Sequence, residues 1–370
     1  LAMIIICIFF VPIYHKLKVF TAYEFLEKRF DKKTRILGAI LFLIQRGLAA
    51  GITIFAPSII LSSVLNIDLK LLNIVIGLLV IIYTVLGGTK AVNITQKQQM
   101  FVIFFGLFFV FFFIINNLPN ELTMSKLIDY AKISDKMEIL DFSLDPNNRY
   151  TFWSGITGGL FLALSYFGTD QSQVQRYISG KSVREIRLGL IFNGIFKIPM
   201  QFFILLVGVL VFIFFEFNYT PLNFNPKAID YLEKNHEKEL ELYKKEFDVL
   251  NLKKDEFQKL FLNNKLNDKS ILNNIQRKER DIRNNLRILI NDKSKIEKND
   301  KDYVFLHFIL NYLPRGLIGL LIAVIICAAM SSTASELNAL AATTTVDLYQ
   351  RNMSKNKSDK HFLNMSKLHS

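Results

Sequence analysis

The chain has 370 residues, 51% of them hydrophobic and 34 of them phenylalanine, with 45 Lys+Arg against 32 Asp+Glu for a formal net charge of +13. Two or three soluble domains would fit the length, but the composition is wrong for a water-soluble surface, and the apolar residues are gathered into blocks rather than spread in period. A nucleic-acid partner does not follow from the charge either, because no aromatic-interleaved basic patch or nucleic-acid motif accompanies it.

The blocks fall at 1–14, 36–65, 71–88, 99–118, 152–167, 188–215 and 310–330, and most approach or exceed the roughly 20 residues that a spanning helix needs. They predict an all-α polytopic membrane protein. The first block is short and opens on Leu1, which marks it as the tail of a longer helix and the chain as a fragment or a misannotated start. If it runs inward, the segments 15–35, 89–98, 176–187 and 350–370 are cytoplasmic and hold 18 Lys/Arg, whereas the external segments 66–70 and 116–151 hold 1 and 4. This positive-inside bias fixes the orientation.

Residues 15–35 alternate basic side chains with Val19, Phe20, Tyr23, Phe25, Leu26 and Phe30, the pattern of an amphipathic helix lying on the inner leaflet. A partner-binding surface is the alternative. In the 36–65 helix, Gln45 and Arg46 sit about half-way across the bilayer, where a charge is expensive and faces a polar cavity or a partner. Arg46 either meets a substrate anion or holds a neighbouring helix through a carbonyl or Asp170; the structural role is the expectation. Gly87 and Gly88 predict a tight turn before Thr89–Val92, and the Phe run 101–113 covers all faces of its helix, as lipid contact requires.

The 119–151 loop is mixed and external, with a short surface helix. Gly155, Gly158 and Gly159 allow either tight packing or a local break that frees carbonyls at mid-membrane. Pro199 predicts a kink near Lys197, which lies too deep to snorkel comfortably and is expected to face a polar cavity. Residues 216–302 are charged, Leu/Phe-spaced and poor in Gly and Pro, so they predict an extramembrane helical hairpin whose charges form mostly a solvated face. It caps an external vestibule or contacts a partner. Cys7 and Cys327 both lie in apolar helices, where core packing is expected rather than a disulfide framework.

Ala328, Ser331, Ser332 and Ser335 sit at i, i+3, i+4 and i+7 and share one helix face. That face is oxygen-rich inside lipid, and neutral hydroxyls and carbonyls suit a hard cation such as sodium without leaving a buried net negative charge. The alternative is small-residue packing with hydroxyls bonded back to the preceding turn. His15, His236, His307, His361 and His369 have no metal-ligand spacing and no nucleophile with a base is evident, so no enzyme is expected.

TAYEFLEKRF, YTVLGGTKAV, SYFGTDQSQVQRY and above all AAMSSTASELNALAATTTVDLY, in that order and spacing, resemble the sodium:solute symporters across nearly all of the chain except 216–302. The resemblance implies a LeuT-like inverted-repeat fold of five helices plus five, of which this chain looks like helices two to eight. Helix one, which supplies sodium ligands in the family, would then be missing, as would helices nine and ten. The functional expectation therefore concerns the intact protein.

It also implies that Ala328 gives a backbone carbonyl, and Ser331 and Ser332 their hydroxyls, to a sodium site. Tyr166 is similar to the inner-gate aromatic of sugar-carrying members, with Phe167 beside it, and Lys197 falls where those members place a substrate-contacting lysine. Asp170 replaces an amide and is expected near the substrate, balancing Arg176, Arg46 or the ion. Gln96 follows Thr95 where many members carry an acid, so the resemblance does not extend to a second coupled sodium. FAPSIIL is more like the monocarboxylate, vitamin and iodide branch than the sugar branch.

The expected organisation is a transmembrane symporter core over 1–215, the hairpin insertion over 216–302, a sodium-site helix over 303–349 and a cytoplasmic tail over 350–370. The expected function is sodium-coupled import of a small solute (a sugar, amino acid or carboxylate) by alternating access across a plasma membrane, the bacterial inner membrane, with the lipid bilayer as the other partner. A transporter-like sensor domain of a signalling protein is the alternative.

Overall fold

The computed structural model describes every residue except 66, 138–139, 146, 179, 265–267, 291–295, 353–356 and 370, and for residues 56, 63–64, 88–93 and 95 it describes the backbone alone. Among the described residues the structure is helical, with no strand. The helices are α1 (Ala2–Leu17), α2 (Ala22–Arg29), α3 (Lys32–Leu65), α4 (Leu69–Asn116), α5 (Met124–Ile133), α6 (152–168), α7 (Gln171–Ile178) and α8 (Val183–Phe217). They continue as α9 (Pro226–Asn235), α10 (Glu237–Leu262), α11 (Lys269–Leu289), α12 (Lys301–Tyr312), α13 (Arg315–Thr343, running on to Gln350 as a wider π-helical turn) and α14 (Asp359–His369).

Among the described residues five stretches are long and apolar enough to cross a membrane: Lys32–Ser62, Leu69–Gly87, Gln96–Asn116, Val183–Phe217 and Arg315–Gln350, with the bent pair α1–α2 a sixth if it counts as one span. Their outward faces carry Leu41, Ile44, Leu48, Ile52, Phe101, Phe105, Phe108 and Phe112, all exposed. In water such a surface would be untenable, and in lipid it is the ordinary one. This is a multi-pass membrane protein.

Contacts divide the chain into two units. The first contains residues 1–105, 141–201 and 319–370. Within it α1 packs Ile6, Cys7 and Val11 against Ile186 and Leu190 of α8, with Leu164 and Phe167 of α6 alongside. The apolar face of α13, at Ile322, Ile325, Ile326, Met330, Ala334 and Leu337, packs on Leu61, Leu72, Ile76 and Val80 of α3 and α4. In lipid, which is as apolar as Leu, this packing is held by van der Waals contact rather than by exclusion of water.

Several expectations need correcting here. Residues 15–35 do not form one helix on the leaflet: α1 ends at Leu17, with Lys18 in the left-handed region (φ 47°), and α2 leaves it at 79°. Tyr23 then goes into the core with Ala39, Phe42 and Ala339, while Phe20 and Phe30 remain exposed. The Gly87–Gly88 turn is absent from the backbone, which is helical throughout Leu69–Asn116; the side chains of 88–93 and of Thr95 lie outside the described residues. The two apolar stretches of this helix, Leu69–Gly87 and Gln96–Asn116, are each long enough to cross a membrane. Cys327 is exposed, and only Cys7 is buried. The 303–349 stretch is two helices, α12 and α13, separated at Leu313 and Pro314.

The second unit contains residues 106–140 and 202–318. The hairpin is there: Leu240, Tyr243, Phe247, Leu250, Lys254, Phe257 and Phe261 of α10, and Leu272, Ile275, Glu279, Ile282, Leu286 and Leu289 of α11, both recur at alternating spacings of three and four. That is the seam of two packed helices. Leu240, Phe247, Leu250, Ile282 and Leu286 of the seam bury in one cluster with Leu222, Ala228 and Leu232. One charge stands in each seam, and they meet: Lys254 Nζ lies 3.4 Å from Glu279 and 3.7 Å from Glu216 at the end of α8. The charge run is therefore not only a solvated face, since Lys254 is 3% exposed.

Tyr130 of α5 is fully buried and donates to Glu216 at 2.9 Å, so α5 is docked rather than superficial. Burial, followed by the Glu216 charge, pushes its phenol well above the ordinary range and keeps it a donor.

Candidate ion and solute site

The site is built on α13. Two hydroxyls of its serine strip, Ser331 and Ser335, are 4% and 5% exposed, Ala328 is half-buried and Ser332 is exposed. The four therefore form a strip that runs from the packed side of the helix to an open side. Thr333 lies off the strip and its hydroxyl bonds back to the Ala329 carbonyl at 2.9 Å. Among the described residues no donor reaches the Ser331 or Ser335 hydroxyl oxygens, which leaves their lone pairs available. Neutral oxygens of this kind are the donor type a hard monovalent cation accepts.

One turn further on, Glu336 ties α13 to the rest of the site. Its Oε1 lies 3.1 Å from Arg46 of α3, and its Oε2 accepts from Thr53 at 2.8 Å. Arg46 also pairs with Asp170, at the junction of α6 and α7. All three side chains are nearly enclosed, at 10–13% exposure. A buried cation between two carboxylates is how a charge at this depth is tolerated. The structural reading of Arg46 thus has its partners; Glu336, a lone acid inside an apolar helix, was the signal for the second one.

The remaining expected residues gather around this hub. The Arg46 guanidinium stands 5.6 Å over the Tyr166 ring, Tyr166 meets Phe167 at 4.9 Å between ring centroids, and Lys197 Nζ stands 5.8 Å from the centre of the Phe167 ring. Tyr166 Oη accepts from Gln173 at 2.8 Å. Asp170 is already engaged: besides Arg46, its Oδ1 accepts from the Ser172 amide at 2.9 Å and hydroxyl at 2.7 Å. It positions Arg46 and opens α7 rather than presenting a free carboxylate. Lys197 differs from both: it is exposed, and among the described residues no carboxylate lies within ion-pair distance. Pro199, two residues on, sits inside an uninterrupted α8.

The glycines of α6 take neither of their two expected roles, since a π-helical turn keeps its carbonyls hydrogen-bonded and is not an open break. Gly155–Gly159 form a widened π-helical turn, and a Cβ at Gly155 or Gly158 would meet nothing within 4 Å, so tight packing does not explain them here. At Gly168 a Cβ would lie 3.0 Å from the Phe10 ring, so there a larger residue fits only if Phe10 shifts by a few tenths of an ångström.

A second polar cluster, which the sequence did not disclose, lies at the other end of α13. Asp347, fully buried, accepts from Thr21 at 2.8 Å and from Arg35 Nε at 2.7 Å. Arg35 continues to Glu27 at 2.7 Å and Glu24 at 3.5 Å, and Glu27 also accepts from Arg351 Nε at 2.7 Å. Gln171 joins α7 to α2 by accepting from the Ala22 amide at 2.9 Å and donating to the Phe20 carbonyl at 3.0 Å. The motifs TAYEFLEKRF and TTTVDLY are therefore halves of one contact.

The comparisons with known proteins bear on the family and the fold. The sequence pattern of the sodium:solute symporter family matches residues 1–240 and 290–370. The human sodium/iodide cotransporter is 30% identical over 217 residues, which is 57% of this chain and 32% of that protein. The rabbit (Oryctolagus cuniculus) sodium-dependent multivitamin transporter is 37% identical over 47% of this chain and 27% of its own length, and the human sodium-coupled monocarboxylate transporter 1 is 37% identical over 50% and 30%. The matched region thus spans about a third of the length of these relatives. A solved structure of the substrate-bound outward-open state of a Na+-coupled sialic acid symporter shares the fold, with a TM-score of 0.69 at 22% identity over all of this chain and 63% of that one. With the family pattern covering most of the sequence, and a helical membrane fold in agreement, the chain belongs to the sodium:solute symporter family, whose members are transport proteins and not enzymes.

Proposed function

We propose that the protein is a sodium-coupled symporter that imports a small solute across a plasma membrane by alternating access. The observation that carries the reading is the union of two features in one place. A strip of unbonded hydroxyls on α13 suits sodium, and Glu336 on the same helix is tied through Arg46 to the aromatic pair Tyr166–Phe167 and to Lys197. Ala328, through its carbonyl, and Ser331 and Ser332, through their hydroxyls, are the proposed ligands of the co-transported ion. Tyr166, Phe167 and Lys197 face the solute, and Asp170 acts on it through Arg46.

Sodium bound on α13 then favours the conformation in which the solute cavity is complete, and the coupling equals the difference in its affinity for the two conformations. Inward release follows the membrane potential, worth about 2.3 kcal/mol per charge per 100 mV. The relatives named for iodide, monocarboxylates and sialic acid support an anion as the solute, and the unpaired Lys197 cation supports the same class.

Tracer uptake by the full gene product in proteoliposomes tests this, with iodide, short monocarboxylates, sialic acid, sugars and amino acids offered with and without a sodium gradient. Sodium-dependent uptake of an anion, lost in Ser331→Ala/Ser332→Ala, is the expected result. Uptake indifferent to sodium and to both serines overturns the ion site. Solute binding with no flux overturns transport in favour of a sensor.

A further inference from the structure

The second unit contains a cavity of about 390 Å³. Its walls come from the end of α8, the residues after α5, and α11. The size is that of a small-molecule site. Phe212, Phe215 and Phe224 supply an apolar side, and Ser134 lines it with a hydroxyl that is buried and, among the described residues, has no hydrogen-bond partner. A buried, unpartnered hydroxyl is costly unless something fills its need.

The charges around the cavity decide what that is. Three carboxylates line it, and each is already paired: Asp135 with Lys269, Glu216 with Lys254, and Glu279 with Lys254 and Arg283. Arg283 is consumed in turn, by Asp300 and by the carbonyls of Pro221 and Leu222. Two lining cations are left over. Lys136 stands 4.8 Å over the Phe212 ring, and Arg280 reaches only the Gln276 carbonyl at 3.3 Å. Among the described residues neither has a carboxylate partner. Aromatic walls, a needy hydroxyl and two unneutralised cations make a receptor for an anionic head on an apolar body.

From this geometry we infer a second binding site in the protein, for a small amphipathic anion, a carboxylate or phosphate attached to an apolar group. It is distinct from the solute site and independent of the transport reading. The family pattern stops at residue 240 and resumes at 290, so α11, which supplies Arg280, belongs to this chain and not to the shared framework. Because Val183–Phe217 is a membrane span that ends at the cavity, the anion has two sources, a dissolved acid or the headgroup of an anionic lipid.

The test uses the whole chain, purified in detergent and in bilayer discs. Saturation-transfer NMR with 3-phenylpropionate, 3-phenylpropanol and 3-phenylpropylamine separates charge from apolarity, and native mass spectrometry of discs containing phosphatidylcholine with phosphatidylglycerol reports retained lipid. Expected is binding of the anion over the alcohol and the amine, weakened about ten-fold by Lys136→Gln or Arg280→Gln, as for loss of a charge-assisted contact. Both positions are exposed, so neither change threatens folding. Ser134→Leu should block the cavity with both charges in place.

Retention of phosphatidylglycerol that displaces phenylpropionate and is lost in Lys136→Gln/Arg280→Gln identifies the lipid source. Phenylpropionate binding without lipid retention identifies the dissolved one. Equal binding of the three probes, binding indifferent to both substitutions, or no binding of either phenylpropionate or phosphatidylglycerol overturns the inference.

Discussion

Replacing Arg46 with glutamine separates two accounts of a charge buried in the membrane. Arg46 stands between Asp170 and Glu336, 3.1 Å from the latter, and is 8% exposed. At an effective dielectric constant of ~20, one pair at that distance is worth about 5 kcal/mol of Coulombic attraction before desolvation is subtracted. The substitution also leaves two enclosed carboxylates without their cation, and breaking a buried pair in this way costs about 3–5 kcal/mol.

Loss of the guanidinium over Tyr166 adds about 0.5–2 kcal/mol. A shift of about 2 °C per kcal/mol for a chain of this size then lowers the melting point by roughly 7–14 °C. The assay is the fraction of monodisperse protein left after heating in detergent, repeated for Glu336→Gln and for the double change. Arg46→Gln/Glu336→Gln should recover part of the loss, with a coupling of about 1–3 kcal/mol, since one of the two stranded carboxylates is then neutral. If Arg46→Gln melts with the wild type while uptake is abolished, the ion-pair reasoning fails and Arg46 serves the solute directly.

Three further outcomes follow from the same physics. Ser331→Ala should raise the sodium concentration for half-maximal uptake more than Ser335→Gly does, measured by sodium titration of tracer uptake, because Ser331 is a proposed ligand and Ser335 only its neighbour on the strip. Lys254→Ala should destabilise the second unit by about 3–5 kcal/mol, stranding Glu216 without its cation, and Lys254→Ala/Glu216→Gln should restore part of it by neutralising the stranded carboxylate; limited proteolysis within 218–300 against temperature reads both. Tyr130→Phe should cost about 1.5–3 kcal/mol, the value of a hydrogen bond to a charged acceptor, in the same proteolysis assay.

How far the sequence reaches is plainest in α10 and α11. Their three-and-four spacing predicts a hairpin, and the hairpin is there, because a helix repeats every 3.6 residues and its buried face is written at that interval. The same reasoning foresees the helical crossings and the strip Ala328–Ser331–Ser332–Ser335. It misses the continuous helix through Gly87 and Gly88, where a local turn propensity is overridden by the helix on either side.

It assigns both cysteines to the core, although Cys327 faces outward. A helix that is apolar all round gives no sign of which side meets protein and which meets lipid. It reads the 216–302 charges as mostly a solvated face, and does not foresee that Lys254 and Glu279 occupy the seam itself. The difference lies in the rule that polar residues go outside, which fails where two opposite charges are buried together.

The sequence by itself determined the membrane class, the helices, the hydroxyl-rich face of α13 and the family, all properties carried by neighbours along the chain or by motifs in order. Only the tertiary structure decided which residues meet. Arg46 joins Glu336 across 290 positions and Thr21 joins Asp347 across 326. Ser331 is buried while Ser332, its next neighbour, is open, and two cations are left unneutralised around the cavity beside α11. Those are facts of which helix lies against which, and pairings between segments that far apart leave no period in the chain for a reader to find.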